Sequence, residues 1–556
     1  MRLPVTPRPF LEIGDQLGLG KDELIPYGRH KAKVSLDALA RLADHPRGKY
    51  VLVTAINPTP LGEGKTTTAI GLVMGLCRLG QRAVVNLRQP SLGPVFGLKG
   101  GGAGGGRACI IPMEEMNLHL TGDSHAVQSA HNLLSAFVDN HLFHGNALGL
   151  DPEQVAWPRA VSVSDRALRR VRITGKDGKE REARFVLTEA SEVMAILALA
   201  SGLADLRVRL GRIVVGTARD GRPVTADDLH CAGAMAALLK NALCPNLMQT
   251  VEGTPAFVHA GPFGNIAHGN SSVLADLLAL RCADYVVTEA GFASELGAEK
   301  FFNIKCRASG LAPDAAVIVV TLRALKFYGD GGLVKSGQPV PAGLTRPNRD
   351  ALARGFANLE QHLANVQAHG VSAVVAVNAF DQDSDDELQW VCEQAKKSGA
   401  AEAVVTTHFR DGGKGSETFA RAVMAACRQS NRFAPLYDAA WPIKQKIETI
   451  ATRMYGAAGV SYSAQTEQDI ERAVRWGFDR WPICMAKTPL SLSHDPALKG
   501  RPSGFTVPIT ELRILAGAGF LTAVCSGMEL LPGLPSHPSG EHIDVDPKTG
   551  DITGLT

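Results

Sequence analysis

The sequence predicts an α/β protein: a P-loop NTPase-like, doubly wound, mainly parallel sheet with two additional smaller α+β domains. Three observations carry this. Short runs rich in Val, Ile and Ala alternate with helical stretches. The runs lack polar alternation, as strands buried on both faces do. Polar and glycine residues collect just after them, where an open α/β sheet holds its ligand. The runs are 50–56, 83–87, 256–259, 285–288, 315–322, 372–377 and 403–406.

The first run enters Thr59-Pro60-Leu61-Gly62-Glu63-Gly64-Lys65-Thr66, and a helix follows from Thr67. Backbone N–H groups of such a loop turn inward around phosphate oxygens, Lys65 reaches the β/γ-phosphates and Thr66 holds Mg²⁺. The pattern G-x-x-x-x-G-K-[ST] is broken at its first place, where Thr59 stands for Gly. Strand, loop and helix nevertheless sit as the motif requires. An incidental Lys-Thr after a glycine turn is the plainer alternative, and this context disfavours it.

The second run delivers Arg88 to a strand tip, where a guanidinium can stabilise charge on a transferring phosphoryl group or an acyl phosphate. Six of residues 100–106 are glycine. Such a run suggests close backbone approach to a ligand or a mobile lid, the alternative being a plain surface loop.

Residues 126–249 break the strand–helix rhythm. They hold helical stretches and a hairpin expected from 171–174 and 184–187 about the turn signal Lys176-Asp177-Gly178. Residues 431–556 are richer in proline and turns, and 544–556 read as an exposed turn or short hairpin. The expected division is a nucleotide-binding domain from 1–125 and 250–430, a second domain from 126–249, and a third from 431–556.

Composition sets the limits. Of 556 residues, 45% are hydrophobic and 20% charged, with a formal net charge of +3, which is not the basic balance of a nucleic-acid binder. The ten cysteines are scattered, with no pair closer than 13 positions, and read as free thiols of a reducing compartment. No apolar run approaches the ~18 residues of a membrane span. Residues 1–7 lack a signal-peptide pattern, so a cytoplasmic protein without membrane or nucleic-acid partners is expected.

Five segments together resemble formate–tetrahydrofolate ligases. They are Thr59 to Thr67 of the phosphate loop, Leu87-Arg88-Gln89-Pro90-Ser91-Leu92-Gly93-Pro94, and the stretch from Ile111-Pro112-Met113 to Thr121-Gly122-Asp123. The others are Gly261-Pro262-Phe263-Gly264-Asn265-Ile266-Ala267-His268-Gly269-Asn270 and Phe505-Thr506-Val507-Pro508-Ile509-Thr510-Glu511-Leu512-Arg513. The likeness runs in the family's order from about residue 20 onward. It implies that ATP, formate and tetrahydrofolate give 10-formyltetrahydrofolate, ADP and phosphate through formyl phosphate. By the resemblance Lys65 and Arg88 are catalytic, Arg88 binding formyl phosphate, and Phe380 and Phe409 sandwich the pterin. The family commonly has Trp where Phe409 stands. A homotetramer activated by potassium or ammonium ion is implied as well.

Asp123, His125 and His268 are candidate active-site polar groups without assigned roles. Asn378-Ala379-Phe380-Asp381 superficially matches a guanine reader, and His141 and His144 could share a helix face. Residues 159–184 carry nine basic and four acidic residues, read as a solvated surface or as a contact for an acidic neighbour or the polyglutamyl tail of folate. The alternative function is a regulatory or metallochaperone P-loop NTPase, a switch with a conformational output.

Overall fold

The structure, a computed structural model, describes residues 5–97, 101–175, 178, 180–330 and 340–555. A twelve-stranded sheet organises it. Ten strands lie in the spatial order Leu24–Pro26, Ala32–Val34, Asn246–Thr250, Pro255–Val258, Ala83–Leu87, Tyr285–Glu289, Lys49–Ala55, Ala315–Val320, Ala373–Asn378 and Glu402–Thr406. The last seven run parallel, and they are the seven runs picked out by their unbroken apolar character.

That character has a simple cause. Alternate side chains of each strand enter opposite layers. Tyr50 and Leu52 join one apolar cluster with Val286, Ile318 and Val375, while Val51 and Val53 join another with Val287, Val317 and Val374. Helices Val273–Cys282, Leu322–Asp330 and Arg349–Gln367 cover the first layer, and Lys65–Arg78 with Glu417–Ala426 cover the second. Local sequence starts several of these helices: Ser272 and Asn348 cap Val273–Cys282 and Arg349–Gln367 through the amides of Ala275 and Ala351.

Residues 123–243 build a further apolar cluster around Asp123–Phe143, Glu192–Leu199, Leu203–Gly211 and Ala232–Leu239. The large sheet takes Asn246–Thr250 from the end of the stretch expected to form a second unit. The hairpin there differs from expectation. Val171–Thr174 pairs antiparallel with Glu180–Ala183, while Phe185–Leu187 runs parallel to Arg159–Val161. The hairpin is largely solvated and its second strand is mostly charged, whereas the apolar Val186 and Leu187 are buried elsewhere. Lys176 and Asp177 lie outside the described residues.

The C-terminal part has its own mixed sheet, in the order Gly459–Tyr462, Thr506–Leu515, Phe520–Cys525 and Ile483–Ala486. Ile447, Ile450, Met454 and Tyr455 of helix Ile443–Tyr455 pack on it. Asp544–Val545 and Ile552–Thr553 form the short hairpin expected at the tail. The C-terminal part also reaches the large sheet. Asn57, two residues before the phosphate loop, donates to the Pro489 carbonyl (3.2 Å) and to Glu295 (2.7 Å), and Glu295 pairs with the buried Lys487 (3.2 Å).

Candidate active site

The carboxyl ends of the seven parallel strands lie along one edge of the large sheet. The phosphate loop leaves the Lys49–Ala55 strand and is held closed from within. Glu63 is buried and accepts the amide of Thr59 (2.7 Å), and Leu61 N donates to Thr59 Oγ1 (3.2 Å). Gly62 and Gly64 take φ of 74° and 73°, a left-handed conformation that glycine adopts freely, and Pro60, Gly62 and Gly64 face outward. Asn378 clamps the loop from the next strand but one, donating to the Glu63 carbonyl (2.8 Å) and to Thr68 Oγ1 (2.9 Å). Its side chain is therefore committed to the loop, and Asp381 is committed to Arg410 (2.6 Å), which leaves no free guanine reader in that pair.

One carboxylate joins the phosphate loop to Arg88. Glu289 ends the strand lying between those that feed the two. One of its oxygens accepts the Thr66 hydroxyl (2.7 Å), and the other lies 3.7 Å from Arg88 Nε. Arg88 also donates to the Pro262 carbonyl (3.1 Å). Lys65 donates to the carbonyl of Phe292 (2.7 Å), a residue at φ 61°. Lys65, Thr66, Glu289 and Arg88 thus form one polar cluster. A threonine hydroxyl beside a carboxylate is an all-oxygen set of the kind Mg²⁺ favours.

Sequence reasoning did not single out Glu289. Its signal was an acid closing an apolar run, and its meaning depends on a strand order that is not local in sequence. The cluster's floor is close-packed glycine: a Cβ on Gly297 would stand 2.0 Å from the Gly291 carbonyl, and one on Gly291 3.0 Å from Arg88 Nη1.

The candidate polar residues fall in three different settings. Asp123 is buried, paired with Lys33 (2.7 Å), and accepts from Asn246 (2.7 Å), tying helix Asp123–Phe143 to the sheet. His125, two residues on, is exposed and has Ser129 Oγ 3.5 Å away. His268 is fully buried and neither ring nitrogen has a hydrogen-bond partner among the described residues. Burial, reinforced by Lys305, Lys300 and Arg88, holds its pKa well below the ordinary imidazole range. Lys300 supports this loop by donating to the Gly264 carbonyl (2.9 Å). His141 accepts the amide of Leu148 (3.2 Å).

The two aromatics follow adjacent strands, Ala373–Asn378 and Glu402–Thr406. Phe380 is half-buried, with the Arg323 guanidinium 3.8 Å from its ring centroid. Phe409 is 55% exposed, so it is not a core aromatic. Its carbonyl accepts from Arg107 N (2.8 Å). The Arg410–Asp381 ion pair ties the loops of the two rings together. Behind Phe409, helix Lys65–Arg78 presents Gly71 and Gly75 to His408 and Ser416, where a Cβ would come within 2.5 and 2.8 Å of those side chains. The glycine run is explained largely by the chain's own contacts: a Cβ on Gly106 would lie 2.2 Å from the Phe409 carbonyl, and one on Gly101 2.0 Å from Asn117. Gly100 lies outside the described residues.

Most described cations of the basic stretch are already matched. Arg159 and Arg181 share Asp139, Arg172 meets Glu180, and Arg184 meets Glu511. No described helix is long and apolar enough to cross a membrane.

A family model described as formate–tetrahydrofolate ligase matches residues 4–556. Relatives carrying that name include one from Roseiflexus sp. (strain RS-1), 55% identical over 99% of this chain and 98% of its own length. Another, from Saccharopolyspora erythraea, is 54% identical over 99% of this chain and 97% of the relative. A third, from Cutibacterium acnes, is 49% identical over 98% and 97%.

Proposed function

Because the chain belongs to the formate–tetrahydrofolate ligase family, it is an ATP-dependent ligase of formate and tetrahydrofolate, and we propose that it works through formyl phosphate on a P-loop NTPase-like frame. The observation that carries this reading is the single cluster in which Glu289 joins Thr66 of the phosphate loop to Arg88.

Formate is an anion and a poor electrophile. Its oxygen attacks the γ-phosphorus of ATP, ADP leaves, and formyl phosphate results. N10 of tetrahydrofolate then attacks the formyl carbon, phosphate departs with one oxygen that came from formate, and N10 loses its proton. The loop from Thr59 to Thr66 cradles the nucleotide phosphates, and Lys65 neutralises the transferring phosphoryl group. Arg88, held by Glu289 and Pro262, takes the formyl phosphate. Thr66 and Glu289 would hold the Mg²⁺ of the nucleotide, which supplies further charge neutralisation there. Phe380 and Phe409 stack on the pterin. Catalysis is positioning and electrostatics, with no covalent enzyme intermediate.

The family resemblance extends the proposal to a cytoplasmic homotetramer activated by potassium or ammonium ion and able to use polyglutamylated folate. The NTPase-switch alternative gains no support, since the relatives are named as ligases and Asn378 is occupied by the phosphate loop. The test is stoichiometric. ADP release should require formate and tetrahydrofolate together, one ADP per 10-formyltetrahydrofolate; steady ADP release from ATP alone would contradict the reading.

A further inference from the structure

Arg323 stands three residues beyond the Ala315–Val320 strand. That strand lies between the one feeding the phosphate loop and the one feeding Phe380, so Arg323 sits between the two proposed substrate sites. Its guanidinium carbon lies over the Phe380 ring, 3.8 Å from the centroid. Its Nε is buried without a hydrogen-bond acceptor, and no carboxylate or carbonyl among the described residues accepts from it. The neighbouring Asp383 instead accepts the Phe380 amide (2.9 Å). Of the nearby guanidiniums, Arg410 pairs with Asp381 and Asp411, and Arg88 donates to the Pro262 carbonyl and lies 3.7 Å from Glu289, its own Nε also without an acceptor among the described residues.

We propose that Arg323 is a receptor for an oxyanion of a bound substrate. The guanidinium carbon sits over the Phe380 ring, and no described residue accepts from its N–H groups. A planar fork with an unsatisfied donor matches a carboxylate or phosphate edge. The guanidinium also covers one face of Phe380 and leaves the other to the pterin. Two sources offer the required chemistry at this position: a phosphate of the nucleotide, or the glutamate carboxylate of tetrahydrofolate. The inference rests on the substrate assignment proposed above.

Equilibrium binding to the full chain separates the outcomes. Wild type, R323Q and R323K are titrated with ATP, with tetrahydrofolate, and with tetrahydropteroate, which lacks the glutamate. R323Q should weaken an anionic ligand roughly tenfold or more, the scale of a lost charge-assisted pair, with partial recovery in R323K. Weakened ATP alone identifies the phosphate. Weakened tetrahydrofolate with unchanged tetrahydropteroate identifies the carboxylate. Unchanged affinities overturn the proposal, as does equal loss of both folates, which would mean that Arg323 only props Phe380. If R323Q does not fold, R323K decides alone, since the lysine point charge cannot reproduce the fork. Wild type that binds neither ATP nor tetrahydrofolate overturns the substrate assignment itself.

Discussion

At the scale of single residues, the site is built from groups that hold one another. Arg88 is held by a carboxylate at a strand end and a carbonyl on a separate loop, which fits the role proposed for it toward formyl phosphate. Arg88→Ala should therefore slow formyl transfer by at least about a hundredfold, the scale of losing a transition-state donor, while ATP affinity changes little. Single-turnover assay and calorimetry check this, and weakened ATP binding with intact transfer would contradict it. Lys65, Thr66 and Arg88 were legible as candidates because their neighbours in sequence form a motif. Glu289 and Asn378 were not, because their partners lie 223 and 315 positions away and meet them only once the strands are ordered.

At the scale of elements, the seven parallel strands were legible because burial on both faces leaves uninterrupted apolar runs. The hairpin partner Glu180–Ala183 was not, because a solvated strand carries no such mark. The glycine run had a readable composition but an unreadable purpose. Its glycines let the chain close on Asn117 and on the Phe409 loop, so the run sets where Phe409 stands. Gly106 has φ 57° as well as the short approach to the Phe409 carbonyl. Gly106→Ala should displace that loop and raise the KM for tetrahydrofolate several-fold, on the order of losing one stacking face, with ATP affinity retained. Steady-state kinetics with each substrate varied check this. A raised KM for ATP with folate untouched would show that the run serves the nucleotide instead.

At the scale of the whole molecule, burial of titratable groups shapes the response to acid. His131, His259, His362, His369 and His408 are each held neutral by burial, their pKa lowered to about 4. In the unfolded chain a histidine takes up its proton near about pH 6.5. Between those values the unfolded state binds more protons, so stability is complete above about 6.5 and is lost as pH falls toward 4. Glu192 and Glu299, raised by burial to about 8 and about 7, act the other way, their contribution being lost as pH rises from about 4.5. Five histidines outweigh two carboxyls, so the melting temperature should fall steadily from pH 6.5 to 4. A flat profile from pH 7 to 5 would contradict this.

The central claim, that one cluster activates formate by phosphorylating it, is tested most directly with formate labelled in both oxygens with oxygen-18. The account predicts that each turnover places one labelled oxygen in inorganic phosphate and leaves the other in the formyl group. Unlabelled phosphate, with product still formed, would show that formate is never phosphorylated and would contradict the account.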